Sequence, residues 1–133
     1  MLSSLSTLPA FLAYFSLGLL LLAVFVAGYV HFTPLREFAL IRAGNVSAVV
    51  SLGGAVFGFV LPLASAIAHS VSLVDLAVWG VIALLVQCAT FAVLRVLLRE
   101  LPAQIEADRL SMALLAALVH LAVGTLNAAA MSY

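Results

Sequence analysis

The residues able to do chemistry in this sequence are few, and they lie inside apolar runs. His120, Gly124 and Asn127 stand at i, i+4 and i+7, so a helix would carry them on one face. Ala113, Ala116 and Ala117 continue that side with small side chains. An imidazole can carry a proton, and an ionisable group in lipid costs enough to suggest a role. Apart from Cys88, His120 is the only titratable group expected at that depth. Without a carboxylate beside it, it makes a poor proton relay and a poor metal site. A neutral imidazole bonded to a neighbouring helix is the other reading. Gln87, in a second apolar run, brings two donors and an acceptor that need partners. Asn127 or the Gly58 carbonyl would serve. Pro62 should kink its helix or leave the Gly58 carbonyl without a donor. Freed carbonyls in membranes can line cavities, but a plain kink that fits a neighbouring helix is the preferred explanation of the proline. Pro62, Gln87, His120, Gly124 and Asn127 form the candidate intramembrane polar site.

A second pattern concerns packing. Ser47, Ser51, Gly54 and Gly58 recur at helical spacing, and Gly54-x-x-x-Gly58 is a small-xxx-small motif. It suits close approach of another helix, from the same chain or from a second copy; incidental glycine in a membrane helix is the alternative. Asp75 stands where a helix N-terminus favours a carboxylate. Arg95 and Arg99 are placed to reach lipid phosphates. Cys88 is the only cysteine, so no disulfide framework or thiolate cluster exists. No catalytic triad, phosphate loop, His-x-x-x-His pair or carboxylate dyad is present. The inventory argues against an enzyme and asks for no cofactor.

The elements that must position these residues follow from composition. Of 133 residues, 67% are hydrophobic and 8% charged, against roughly 25% charged in a soluble domain. Mean hydropathy is +1.35. Such a chain cannot cover a water-exposed surface with polar groups, and belongs in a bilayer. A hydrocarbon core needs roughly 20 apolar residues per helix. Four stretches qualify, about 10–32, 46–69, 74–97 and 110–131. Their apolar runs lack a period of two, which selects helices over barrel strands. The expected fold is an all-α membrane protein with four transmembrane helices in one domain. Met1 to Ala10 holds no basic residue, and the first apolar run exceeds a signal-peptide core, so it reads as a retained helix.

All the basic residues are arginines, and they fall in two places: Arg36 and Arg42, then Arg95, Arg99 and Arg109. The positive-inside rule puts those loops in the cytoplasm and both termini outside. Tyr29, Trp79 and Tyr133 lie toward span ends, where interfacial aromatics are expected. With net charge zero, no basic face for nucleic acid arises. The expected partners are the lipid bilayer, further copies of the chain, and a cytoplasmic or membrane protein met through the inner loops. The halves also share a plan. Leu35-Arg36-Glu37 recurs as Leu98-Arg99-Glu100, and Asn45-Val46-Ser47 matches the stage of Arg109-Leu110-Ser111. Two-span halves enter from the same side, so they would be parallel repeats; chance likeness between hydrophobic hairpins is the alternative.

Longer stretches resemble a known family. Thr33-Pro34 through Asn45, Gly58-Phe59-Val60-Leu61-Pro62-Leu63-Ala64-Ser65-Ala66-Ile67, Asp75, Trp79-Gly80, Gln87 and Asn127-Ala128-Ala129-Ala130-Met131-Ser132 resemble the YjfL-type small inner-membrane proteins, domain of unknown function number 350. The likeness runs through nearly the whole chain. It implies a bacterial cytoplasmic-membrane protein of four spans with no established activity or cofactor. Asn45, Ser65, Asp75, Gln87 and Asn127 match the pattern, and His120 stands outside it. The expected function is a non-enzymatic homo-oligomer, or a subunit or scaffold of a membrane complex. The alternative is a small transporter or channel with a polar path past Pro62, Gln87 and Asn127.

Overall fold

A computed structural model describes residues 2–131; Tyr133 and Ser132 lie outside the described residues. Among the described residues seven helices follow in order: α1 Leu2–Leu5, α2 Leu8–Phe32, α3 Glu37–Arg42, α4 Val46–His69, α5 Leu73–Leu97, α6 Leu101–Glu106 and α7 Leu110–Ala130. The four long ones, α2, α4, α5 and α7, are long and apolar enough to cross a membrane. Their bounds fall within two residues of those read from the sequence.

Local chemistry sets these ends. Thr33, the residue before Pro34, is extended (φ −76°, ψ 149°), because the proline ring excludes the helical region there. Ser72 caps α5 by accepting from the Asp75 amide at 3.1 Å, and the Asp75 carboxylate accepts from Val71 N at 3.2 Å. Asp75 is thus part of a helix start.

The two Arg-bearing loops share one backbone design. Each holds a six-residue helix, α3 or α6, that ends on a left-handed residue: Gly44 at φ 90° and Asp108 at φ 59°. Asn45 N donates to Leu40 O and Gly44 N to Ile41 O; Arg109 N donates to Gln104 O and Asp108 N to Ile105 O. Both are Schellman endings, which satisfy carbonyls left over at a helix C-terminus. The loops also cap each other. Asn45 Oδ1 accepts from Ala48 N at 2.8 Å, while its Nδ2 donates to Ile105 O at 3.0 Å and Glu106 O at 3.2 Å. Asp108 Oδ1 accepts from Ser47 N at 2.9 Å. The Ser47 backbone amide, with the Ser47 side chain beside it, holds the Asp108 carboxyl below the usual carboxylate range. Asn45→Ala should therefore lower unfolding stability by about 1–2 kcal/mol, measured in detergent, since it strips one cap and two carbonyl partners. The Asp108 contribution is present above the normal carboxylate range and fades as pH falls through its depressed folded-state pKa. A stability–pH slope that Asp108→Asn leaves unchanged would contradict that.

α4 is the most enclosed of the four spans and packs most extensively on α7. α2 lies on α4 and α5 through a single stripe: Gly18, Leu21, Phe25 and Tyr29. Phe25 stacks on Phe59 of α4 with ring centroids 4.5 Å apart. Phe11, Phe15, Leu19 and Val24 on the far side of α2 face outward, as on a lipid-facing helix. One expectation is corrected here. Tyr29 is not an interfacial aromatic: it is 4% exposed and inside the core, because its position continues the Leu21–Phe25 stripe.

Candidate intramembrane polar site

The site is built on a proline. Pro62 has no N–H, so the Gly58 carbonyl one turn earlier has no helical donor. Gln87 of α5, fully buried, supplies it through Nε2 at 3.0 Å. The same nitrogen lies 3.4 Å from the His120 carbonyl. Two carbonyls can only accept, so the Gln87 amide orientation is determined, and its Oε1 must face the third partner. That partner is His120 Nδ1 at 2.5 Å. The proton therefore resides on Nδ1, which leaves Nε2 to accept from the Tyr29 hydroxyl at 3.3 Å. Tyr29 also meets the imidazole edge-to-face, centroids 5.8 Å apart. The result is a closed, neutral chain: Tyr29 to His120 to Gln87 to the Gly58 carbonyl, drawn from all four long helices.

Small residues make this closure possible. A β-carbon on Gly58 would stand 2.5 Å from His120 O, and one on Gly124 would stand 2.1 Å from Gly58 O. A β-carbon on Gly54 would stand 2.3 Å from Ala117 Cα. The face made by Ser47, Ser51, Gly54 and Gly58 is thus occupied within the chain by Ala113, Ala116, Ala117, His120 and Gly124 of α7, nearly all of them buried to the core. Backbone contact of this kind gains dispersion and brings the carbonyls within reach of Gln87.

Not every candidate joins the cluster. Asn127 is half-buried two turns beyond His120 toward the C-terminus, and its Nδ2 is buried with no partner among the described residues. Of the two partners weighed for Gln87, the Gly58 carbonyl is the one it meets. Cys88, next to Gln87, is half-buried and free. Sequence reasoning missed Tyr29 as a core hydroxyl, and it missed Glu37. That carboxyl is 2% exposed; its Oε1 accepts from the Thr33 hydroxyl, and its Oε2 is buried without a partner. Burial pushes the Glu37 pKa up, with the Thr33 hydrogen bond opposing. Tyr29, Thr33 and Glu37 recur every four residues, a spacing that could have signalled one polar edge running on past Pro34.

The described residues thus define a multi-pass α-helical membrane protein that turns its polar groups into its own core. Residues 3–131 match the family described as Domain of Unknown Function (DUF350), and the chain belongs to that family. It is similar to the UPF0719 inner membrane protein YjfL of Escherichia coli strain K12, with 35% identity over 129 residues, 97% of this chain and 98% of the relative. The protein of the same name from Escherichia coli O157:H7 matches with the same figures. No solved structure matches the chain. The inner-membrane location read from the sequence agrees with these relatives and with the four apolar helices.

Proposed function

We propose that this protein is non-enzymatic and works as a homo-oligomer or as a subunit of a larger membrane complex. Its termini face outward and its Arg-bearing loops face the cytoplasm. The observation that carries this reading is the closure of the protomer. At Gly58 and Gly124 the backbones of α4 and α7 touch, so no aqueous path passes between them at that depth. The hydrogen bonds of Gln87, His120 and Tyr29 are directed at one another. A protomer closed in this way acts through its surfaces, which are apolar along the spans and charged at the inner loops. Association uses a surface other than the Gly54–Gly58 face, since α7 occupies that face. The orientation rests on the arginine asymmetry.

Native mass spectrometry from nanodiscs tests the proposal. The expected result is a discrete assembly of the chain, alone or with a co-purifying protein. A monomer at every protein concentration, with no partner retained, would overturn it. For orientation, a cysteine at Ala103 in a Cys88→Ala background should react with an impermeant maleimide only after the inner membrane is opened.

A second reading is a small transporter or channel with its path between helices or protomers. It is favoured by the unpartnered amide of Asn127 and by the buried Gln87 and Pro62. Asn127→Leu is the clean test, because it removes that amide without touching the Gln87 bonds. A transporter loses flux in this variant, whereas a scaffold tolerates it.

A further inference from the structure

We propose that the groove between the inner ends of α2 and α5 is a binding site for an anionic phospholipid. Arg95 and Arg99 hold its phosphate, and the aromatic floor seats its acyl chain. The groove has a volume of about 400 Å³ and is lined by Phe32, Phe91, Ala92, Arg95, Val96 and Arg99. That volume lies within the range of small-molecule sites. The inference goes beyond the assembly reading and stands whether or not the chain oligomerises.

The argument begins with charge. Arg95 lies in the last turn of α5 and Arg99 just past its end. Both side chains are exposed, neither has an acidic partner among the described residues, and no acidic residue lines the groove. Two guanidinium groups left unpaired at one rim are an uncompensated positive site. Their planar forks match phosphate oxygens bidentately. The carbonyl end of α5 carries partial negative charge, which favours cations there, so the attraction for phosphate comes from the arginine side chains and not from the helix.

The floor decides between a lipid and free phosphate. Phe32 and Phe91 meet edge-to-face with centroids 6.1 Å apart, and Ala92 and Val96 continue the apolar wall along α5. Free phosphate would gain nothing from that surface. An acyl chain gains burial against it while its headgroup stays at the level of the arginines, where a span meets the interface. Basic pockets at that level are suited to acidic headgroups. The outward half of Phe32, 49% exposed, offers the chain an aromatic face that the protein itself does not cover.

The test is native mass spectrometry of the full chain taken into mild detergent from nanodiscs of phosphatidylcholine mixed with cardiolipin. The wild type should retain cardiolipin in preference to phosphatidylcholine. Arg95→Gln with Arg99→Gln should weaken cardiolipin retention roughly thirtyfold, the sum expected for two arginines near an anionic headgroup. Arg36→Gln with Arg42→Gln removes the same net charge outside the groove and should leave retention unchanged. Ala92→Trp keeps both arginines but fills the floor, so it should also lower retention; it reads the site even if the double arginine variant folds poorly. Equal losses in the two arginine pairs would reduce the effect to general surface charge and overturn the proposal. So would displacement of the lipid by millimolar inorganic phosphate, which would show that the floor takes no part.

Discussion

Gly124→Ala is expected to unfold the bundle in mild detergent, or to lower its stability by about 3 kcal/mol or more. The added carbon would lie 2.1 Å from Gly58 O and 2.7 Å from Gly58 Cα, and both are backbone atoms that cannot swing aside. α4 and α7 would have to separate by roughly an ångström along their seam, and a gap of that size forfeits a quarter to a half of each contact's dispersion energy. Separation would also lengthen the reach from Gln87 to the Gly58 carbonyl. Gly53→Ala is the internal control. A β-carbon there meets nothing within 4 Å, so the change should be neutral or stabilising through helix propensity alone. Thermal or SDS titration followed by circular dichroism measures both. If Gly124→Ala cost less than 1 kcal/mol, the close α4–α7 seam would be wrong. The same seam predicts that Gly58→Leu yields unfolded protein rather than folded monomers released from an oligomer.

The second large effect concerns Gln87→Leu, for which we expect a loss of about 2–4 kcal/mol. Hydrogen bonds between membrane helices average only about 0.6 kcal/mol in double-mutant cycles, because the separated helices find other partners. Here that relief is missing for one group. The Gly58 carbonyl cannot turn to its own helix, since residue 62 is proline. The substitution also strands the His120 Nδ1 proton in the core. A double-mutant cycle isolates the proline's part. Pro62→Ala restores an N–H at position 62, so Gln87→Leu should cost about 1 kcal/mol less in that background. Strict additivity of the two changes would show that Gln87 does not serve the carbonyl that Pro62 leaves free.

Span number and span limits were legible because they depend on neighbouring residues. Transfer of about 20 consecutive side chains into hydrocarbon is a sum over local terms, so hydropathy alone locates α2, α4, α5 and α7. The structure shows the same locality where Pro34 stops α2 and Ser72 opens α5, each a matter of a few adjacent residues. The donor deficit at Gly58 was visible too, since proline's missing N–H is a covalent fact. The family was legible from matched segments spread over most of the chain.

Partnership was not legible, because lipid is as apolar as the side chains and hydropathy gives no preference between one helix face and another. The small-residue face of α4 could have met a second copy; only the packed chain shows α7 lying there. Tyr29 sits near a helix end in sequence yet reaches His120, because its side chain points back along the Leu21–Phe25 stripe into the core. Glu37 reads as a loop charge until Thr33 is seen covering it, and only the packed chain brings the Asn45 amide onto the carbonyls of Ile105 and Glu106. The sequence by itself determined that four apolar helices cross a membrane, since burial in lipid is decided residue by residue. Tertiary structure alone decided which polar groups answer one another, because each such hydrogen bond joins residues that only packing brings together.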